Sequence, residues 1–243
     1  MKKSKILLIA ASAILFSSAS FATHHKHAAP KSKPGLKDGF YLGVRAGYDN
    51  YTARDNLSYT DLEGEVFSIN PVLSPIGWAG GVFLGYGKYL GNRLYLGGEA
   101  NFNATGAQSS YALTALTMSG SGGLDTNSLK TTVSANNNYG LAILPGIKVN
   151  NNSLVYARIG YTWSLIKTQE IFTTIGPSTI TFNKSKVVGG LTYGLGLEMF
   201  LVGNLSLRAD YTYTSFNHVT SPIGSRFSPT DNQFMLGVAC HLA

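Results

Sequence analysis

The stretch GFYLGVRAGY, residues 39–48, decides the fold of this chain. Apolar residues at the even positions, from Phe40 to Tyr48, alternate with tyrosine, glycine and arginine at the odd positions, among them Arg45. Successive side chains of a β-strand point to opposite faces, so this alternation predicts a strand with one apolar face and one polar or small-residue face. Such a strand separates two different media.

The same period of two residues recurs seven more times along the chain. It predicts strands over residues 39–50, 78–90, 93–104, 138–150, 154–168, 184–201, 205–216 and 232–242. Tight turns rich in Gly and Asn, which adopt positive φ at low cost, join the second strand to the third, the fourth to the fifth and the sixth to the seventh. The other connections are long and cover residues 51–77, 105–137, 169–183 and 217–231.

An even number of strands with short turns at one end and long loops at the other is typical of a transmembrane β-barrel. A closed barrel pairs every backbone group and has no free edge, as a bilayer requires. We therefore predict an all-β, eight-stranded, antiparallel, up-and-down transmembrane barrel over residues 38–243. A soluble barrel of the lipocalin type is the alternative, and it would place the apolar face inside.

Aromatic residues cluster at both ends of the predicted strands, which favours the membrane barrel with its two interfacial bands. The predicted band near the short turns contains Phe40, Tyr86, Tyr89, Tyr95 and Phe200. The predicted band near the long loops contains Tyr48, Trp78, Phe102, Tyr139, Tyr161, Trp163, Tyr213 and Phe234.

The charge distribution argues against nucleic acid as a partner. The formal net charge is +7, but residues 1–37 carry seven lysines and no acid. Residues 38–243 therefore keep 19 − 7 = 12 basic residues against 12 acidic ones, so the folded part has no excess of basic charge to contact phosphates. The single cysteine excludes a disulfide framework and a cysteine-based zinc site.

The N-terminus has the three zones of a secretory signal peptide, which we assign to residues 1–22. Three lysines precede an apolar run over residues 6–16, and small residues flank the expected cleavage site before Thr23. Residues 23–37 are then predicted to form a flexible periplasmic leader. Export through the Sec pathway to the outer membrane of a Gram-negative cell follows from the signal peptide and the barrel together.

Three motifs resemble the small opacity-type family of outer-membrane β-barrels, which shares the eight-stranded barrel of the OmpA/OmpX type. They are DGFYLGVRAGY at residues 38–48, GVFLGY at residues 81–86 and FMLGV at residues 234–238. The resemblance implies long surface loops, assembly by the barrel insertion machinery, and a role as a surface antigen in adhesion, immune evasion or envelope integrity.

Charged residues fall on the face predicted to line the lumen. We predict a network of charge pairs formed by Arg45, Glu99, Arg158, Glu198, Arg208 and Asp210, with Glu198 directly opposite Arg208. Such a network would close the lumen, because an eight-stranded interior is just wide enough for side chains to fill it. The alternative is a narrow porin-like channel, since the many inward glycines leave room for water.

Three lysines flank the third long connection, and they are candidates for contacts with lipopolysaccharide phosphates or for simple interfacial snorkelling: Lys167, Lys184 and Lys186. The alternation continues to Ile175, so strands five and six are expected to project beyond the membrane with an open edge that accepts a partner strand.

The sequence predicts a non-enzymatic outer-membrane surface protein that supports envelope integrity and binds host surfaces or matrix through its loops. No catalytic, metal or cofactor site is predicted. A small channel is the alternative function, and a lipid-modifying enzyme that uses His218 is a third.

Overall fold

The computed structural model describes residues 38–54, 57–60, 66–69, 72–118, 124–173, 179–220 and 226–242. The predicted signal peptide (1–22) and leader (23–37) lie outside the described residues. Within the described part of the chain, no helix is long and apolar enough to cross a membrane.

Eight antiparallel strands form a closed ring. They are β1 (Gly39–Arg54), β2 (Ile76–Leu90), β3 (Leu94–Thr105), β4 (Leu124–Asn150), β5 (Ser153–Thr173), β6 (Thr179–Val202), β7 (Leu205–Phe216) and β8 (Thr230–Leu242). Each strand pairs with its neighbours in sequence, and β1 pairs with both β2 and β8. The predicted eight-stranded barrel is confirmed.

Within the described parts of the long connections lie six shorter strands. Leu57–Thr60 pairs with Val66–Ile69, and Val219–Thr220 pairs with Arg226–Phe227. Val72–Leu73 pairs with the end of β1, and Gln108–Met118 pairs with the first part of β4.

The two faces of the barrel differ as the alternation predicts. Large apolar side chains cover the outer face, where Leu195 is 64% exposed and Trp78 is 79% exposed. Charged and small polar side chains are buried on the inner face, together with rings such as that of Tyr156. This arrangement is the reverse of a soluble barrel and suits a surrounding of hydrocarbon.

The structure corrects the predicted aromatic bands at the end with the short turns. Phe40 and Tyr86 face outward and contact each other edge to face, with ring centroids 5.0 Å apart. Tyr95 and Phe200 are instead buried on the inner face, and Tyr89 packs against Tyr95. At the other end the outer face carries Tyr48, Trp78, Phe102, Tyr139, Tyr193, Tyr211 and Phe234, all exposed.

Two of the predicted loops contain strands. Residues 105–137 were expected to connect strands, but Gln108–Met118 pairs with residues 124–134, and residues 128–135 pair with residues 166–173. Residues 166–173 in turn pair with residues 179–186, as the alternation up to residue 175 predicts for strands five and six. We call this four-stranded sheet, formed by residues 108–118, 124–135, 166–173 and 179–187, the extension sheet. It rises from one half of the ring, beyond the outer aromatic band.

A bulge in β4, between Ala135 and Asn138, interrupts the alternation of inward and outward side chains along that strand. The pairing with β5 shifts between Ala135 and Asn138, so the strand carries one extra residue. Val133 and Ala135 face inward before the shift, and Asn138 and Ala142 face inward after it. The parity of the inward positions therefore changes within the strand, as a bulge requires.

The turn between β6 and β7 also differs slightly from expectation. The sequence predicts that Leu201 pairs with Leu205, but Val202 occupies that position and the register shifts between Phe200 and Val202. Gly203 in this turn has a φ of +62°, where glycine is favoured. The predicted register of Glu198 opposite Arg208 is retained.

Candidate functional site

Glu99 on β3 is the centre of the charged network inside the barrel. Arg158 Nη2 donates to Glu99 Oε1 over 2.5 Å, and Arg208 Nη1 donates to Glu99 Oε2 over 2.8 Å. The three side chains are at most 3% exposed. One carboxylate thus bridges guanidinium groups from two strands, β5 and β7, that are not neighbours in the ring.

Tyr156 forms the second junction of the network. Its hydroxyl accepts hydrogen bonds from Arg208 Nε at 3.0 Å and Arg208 Nη2 at 2.6 Å. The same hydroxyl donates to Asp210 Oδ1 at 2.6 Å. Asp210 also lies 3.6 Å from Arg208 and 3.8 Å from Arg158, so it balances the remaining charge of both arginines.

A chain of hydrogen bonds leads from the network towards the outer end of the lumen. Arg45 Nε donates to Asn103 Oδ1 at 2.9 Å, and Asn103 Nδ2 donates to Gln233 Oε1 at 3.4 Å. Gln233 Nε2 then donates to Asp49 Oδ1 at 2.6 Å. Three strands are linked in this way, because these residues lie on β1, β3 and β8. Contrary to the prediction, Arg45 forms no salt bridge with a carboxylate of the described residues and is held by Asn103 instead.

Glu198 does not form the ion pair that the sequence predicts. Although Glu198 faces Arg208 in register, its Oε1 accepts from Ser206 Oγ at 2.6 Å and lies 2.7 Å from His241 Nε2. The prediction is wrong because Arg208 reaches across the lumen to Glu99 rather than along the wall. Ser206 and Glu198 both approach Nε2 of His241. In a catalytic triad the nucleophile and the orienting carboxylate contact different nitrogens of the histidine, so this arrangement is not that of a triad.

Aromatic rings fill the space beside the network. The Arg208 guanidinium lies 4.5 Å from the centre of the Phe83 ring and 5.1 Å from that of Tyr156. A Cβ atom at Gly85 would overlap the Tyr41 ring, and one at Gly196 would overlap the Tyr156 ring. Some of the inward glycines therefore make room for aromatic rings, whereas others, such as Gly160 and Gly194, lie against the backbone of the neighbouring strand.

The free volume inside the barrel is small. Above the network lies a chamber of about 20 Å³, lined by threonines, asparagines and the two arginines Arg45 and Arg158. A single water needs about 10–15 Å³ of such space, so this chamber has room for about one water.

Carboxylates outnumber guanidinium groups inside the barrel. Among the described residues, three buried arginines stand against six buried carboxylates: Arg45, Arg158 and Arg208 against Asp49, Glu99, Glu170, Glu198, Asp210 and Asp231. Asp231 lies just beyond the outer aromatic band, outside the membrane-spanning part of β8, and its Oδ1 has no hydrogen-bond partner among the described residues. Burial, with a contribution from the Asp49 carboxylate, raises the pKa of Asp231.

The three lysines predicted to contact lipopolysaccharide do not share a face. All three are exposed. Lys167 is opposite Ser185 on the outer face, which continues from Leu165 and Val187. Lys184 and Lys186 are opposite Thr168 and Ile166, which lie on the inner face of the sheet. The trio is therefore divided between two sides of the extension sheet.

Several members of the network were missed at the level of sequence. Tyr156 and Ser206 carry no charge and look like ordinary strand residues, and Asn103 and Gln233 are common polar residues. The only available signal was their position in the alternation, which predicts that their side chains point inward.

His218, considered for catalysis, is exposed on the connection after β7. No group of three or more His, Cys, Asp or Glu residues within the described ranges is arranged to hold a metal ion.

A closed ring of eight strands, an apolar outer face with aromatic bands and a polar, filled interior define the chain as a small outer-membrane β-barrel protein. The family model described as "Outer membrane protein beta-barrel domain" matches residues 8–241, and the chain belongs to this family. It is a barrel of the OmpA/OmpX-like type and is located in the outer membrane of a Gram-negative cell. The finer assignment to the opacity type stays a prediction.

Solved structures with a similar strand arrangement have low sequence identity. Ail, the attachment invasion locus protein of Yersinia pestis, is 15% identical, with 85% of this chain and 100% of that chain covered and a TM-score of 0.42. Neisserial surface protein A is 15% identical, with 84% and 97% covered and a TM-score of 0.41. The outer membrane protease OmpT from Escherichia coli is 8% identical, with 88% and 100% covered and a TM-score of 0.45. No curated protein sequence matches the chain.

Proposed function

We propose that this protein is a non-enzymatic surface protein that uses its barrel as a rigid anchor and its extension sheet to bind ligands outside the cell. The observation that carries the proposal is the extension sheet itself, which continues four strands of the barrel beyond the outer aromatic band. Binding residues are commonly found on segments that a rigid scaffold holds away from its core.

The side chains on the hairpin of β5 and β6 support this role. Phe172 and Phe182 contact each other edge to face with ring centroids 5.9 Å apart, and Phe182 is 48% exposed. Ile180 is also exposed, and Lys184 and Lys186 follow on the same face. Exposed aromatic and apolar groups beside cationic ones are suited to adhesion to a host surface or to matrix, and Lys167 on the opposite face is suited to lipopolysaccharide phosphates.

The filled lumen supports the anchor role over the porin-like alternative. Glu99, Arg158 and Arg208 meet across the interior, and the chamber above them is too small to conduct hydrated ions. Envelope integrity is the second part of the proposal, because a network that ties opposite walls together stiffens the cylinder.

The test is to shorten the hairpin. Glu170 and Phe182 face each other in register, so residues 171–181 can be replaced by Asn-Gly, which forms a two-residue turn. We expect bacteria that display this variant to lose binding to host cells and matrix. A matched variant that alters only the Leu57–Ile69 hairpin should retain binding. Unchanged binding of the shortened protein, with normal surface abundance, would contradict the proposal.

A further inference from the structure

A groove lies in the lipid-facing wall of the barrel, on β5, β6 and β7. It has a volume of about 510 Å³. Six side chains form most of its lining: Ala157, Ile159, Tyr193, Leu195, Tyr211 and Tyr213. All six occupy outward positions of their strands, and clefts of about 300–1,000 Å³ with a mainly apolar and aromatic lining are typical of ligand sites. The wall therefore has a concave site within a surface that contacts lipid.

The groove exists because a small residue occupies one outward position. Ala157 on β5 is opposite Leu195 on β6, and Leu195 is opposite Tyr211 on β7. The next outward residue of β5 is Ile159, which is exposed. Because the side chain of Ala157 ends at Cβ, the space between Ile159 and Leu195 is left open.

The aromatic walls of the groove are held in place. Tyr193 on β6 is opposite Tyr213 on β7, and their ring centroids are 5.2 Å apart. The Tyr211 hydroxyl donates to Asn232 Oδ1 on β8 at 2.8 Å. The contact between the rings and this hydrogen bond restrict the rotation of the side chains, so the groove is largely pre-formed.

The end of the groove nearest the long connections is polar. Asn217, directly after β7, donates from Nδ2 to the Tyr161 hydroxyl of β5 at 3.1 Å. This hydrogen bond crosses β6 at Gly189, where an added Cβ would overlap the Tyr161 ring. Ser215 is exposed on the same outer face of β7. Hydroxyl and amide groups therefore follow directly on the apolar lining.

The depth of the groove in the membrane follows from the two ends of the barrel. The short turns of an outer-membrane barrel face the periplasm, and its long loops face the outside of the cell. Tyr193 and Tyr211 belong to the exposed aromatic band near the long connections, and Leu195 lies next to them towards the middle of the wall. The apolar part of the groove therefore opens to the hydrocarbon of the outer leaflet, with the polar end at the level of the head groups.

An acyl chain fits these surroundings. The hydrocarbon region of a bilayer contains no water that could fill the groove. Apolar surface gains no hydrophobic stabilisation on passing from lipid to protein, so van der Waals contact decides what binds there. A chain in the groove contacts side chains of three strands, and these contacts are lost when the groove is empty.

The polar end matches the group that joins an acyl chain to its head group. The Tyr161 hydroxyl accepts a hydrogen bond from Asn217, so its own proton is available to an acceptor. An ester or amide carbonyl supplies such an acceptor at the start of the chain. The order of apolar lining and polar end along the groove is therefore that of a lipid in the outer leaflet.

We propose that the groove binds one acyl chain of lipopolysaccharide, the lipid of the outer leaflet, and that the Tyr161 hydroxyl donates to the carbonyl of this chain. The site does not depend on the binding function proposed for the extension sheet. It also differs from the phosphate contact proposed for Lys167, which lies further along β5 on the same outer face. Lipopolysaccharide held in the groove stays bound when the surrounding lipid is removed.

The test is to fill the groove. Ala157→Phe places a ring in the space beside Leu195, and an apolar side chain on the lipid-facing wall is compatible with folding. The wild-type protein and the variant are extracted from outer membranes in a mild detergent, and the lipid that stays bound is identified by mass spectrometry of the intact complexes. We expect a complex of the wild-type barrel with one lipopolysaccharide, and a bound fraction at least several-fold smaller for Ala157→Phe.

Ala100→Phe is the matched control. Ala100 is exposed on the outer face of β3, outside the groove, so this variant should retain lipopolysaccharide as the wild type does. Equal retention by the wild type and Ala157→Phe would overturn the proposal, and so would equal loss in both variants. Retention of a phospholipid, or a wild-type dimer that Ala157→Phe abolishes, would also overturn it, because the groove would then have another occupant.

A second measurement tests the polar end. Tyr161→Phe removes the hydroxyl and keeps the ring. We expect lipopolysaccharide in phospholipid vesicles to raise the midpoint of heat-dependent gel mobility of the wild type and Ala100→Phe, to raise that of Tyr161→Phe less, and to raise that of Ala157→Phe least. A rise in Tyr161→Phe as large as in the wild type would contradict the role of the hydroxyl, and the same result for Ala157→Phe would contradict the groove.

The outcome is separate from that of the shortened hairpin. Lys167 and the extension sheet are unchanged in all of these variants, so binding to host cells and matrix should stay as in the wild type. Loss of bound lipopolysaccharide in Ala157→Phe with normal host binding would support the groove alone.

Discussion

At the scale of single residues, the interior depends on Glu99 more than on any other described carboxylate. Its two oxygens are the acceptors for Arg158 and Arg208, and both guanidinium groups are buried. Glu198, in contrast, contacts the hydroxyl of Ser206 and the ring of His241, and no arginine of the described residues lies within salt-bridge distance of it. Loss of the Glu99 carboxylate would leave two buried arginines unpaired, whereas loss of the Glu198 carboxylate would not, so we expect the first loss to destabilise the protein far more.

Substitution of these glutamates should show the difference. Glu99→Gln leaves two buried arginines without a full counter-charge, and we expect the free energy of unfolding to fall by about 3–5 kcal/mol. Glu198→Gln should cost only about 1–3 kcal/mol, since hydrogen bonds rather than a charge balance are changed. Urea unfolding in lipid vesicles measures both values. Equal losses in the two variants would mean that Glu99 is not the centre of the network.

Substitution of Asp231 is expected to raise the stability of the protein, whereas the glutamate substitutions lower it. Its pKa is raised in the folded protein, so the folded state binds a proton more readily than the unfolded state, and stability increases as pH falls towards the ordinary value of 3.8. Asp231→Asn should therefore be more stable than the wild type at pH 8, with a difference that shrinks at pH 5. Asp210→Asn is the control, and it should lose stability because Tyr156 donates to that carboxylate. A loss of stability in Asp231→Asn at pH 8 would refute the expectation.

Gly196 shows how a missing side chain positions a ring. Gly196→Ala should destabilise the barrel by about 1–3 kcal/mol, because its Cβ would overlap the buried Tyr156 ring and force a shift. Gly98→Ala is a matched control on the outer face, where nothing lies within 4 Å of the added atom. The midpoints of heat-dependent gel mobility compare the two variants. Similar midpoints would show that the ring moves away without cost.

At the scale of elements, the barrel strands and the extension of β5 and β6 were predictable, whereas the strands over residues 108–118 and 124–135 were not. Each barrel strand separates hydrocarbon from a polar interior, so its sequence alternates clearly. The predicted register of Glu198 opposite Arg208 is found although the turn differs, because the shift between Phe200 and Val202 compensates for it. The extension sheet has solvent on much of both faces and is rich in Ser, Thr and Asn. Apolar and polar residues therefore do not alternate clearly along most of its strands. The bulge near Asn138 then changes the inward parity within one strand.

The contacts of the network escaped prediction for a related reason. Neighbouring strands are fixed by local register, but Glu99 and Arg208 are 109 residues apart and lie on strands that do not pair. Which charge reaches which partner depends on side-chain length and on the rings that occupy the axis. The sequence showed that charges face inward, but it could not show that Arg208 passes Glu198 and reaches the opposite wall.

At the scale of the whole molecule, the filled interior predicts that the protein does not conduct ions. Wild-type protein in planar lipid bilayers should give no reproducible large conductance steps, because the Glu99 network and the Phe83, Tyr41 and Tyr156 rings close the lumen. A Tyr156→Ala, Arg208→Ala double variant removes the largest part of this plug and should admit ions. Large steps from the wild-type protein would favour the porin-like alternative.

The closure of the ring between β1 and β8 has a consequence for biogenesis. Thirteen residue pairs join the first strand to the last, from Phe40 opposite Leu242 to Thr52 opposite Thr230. The backbone groups on one edge of β1 therefore have no β8 partner until translation and export of the polypeptide are complete. Contacts so distant in sequence form slowly. We expect that, during that delay, the apolar outer face of the unclosed chain needs protection from aggregation.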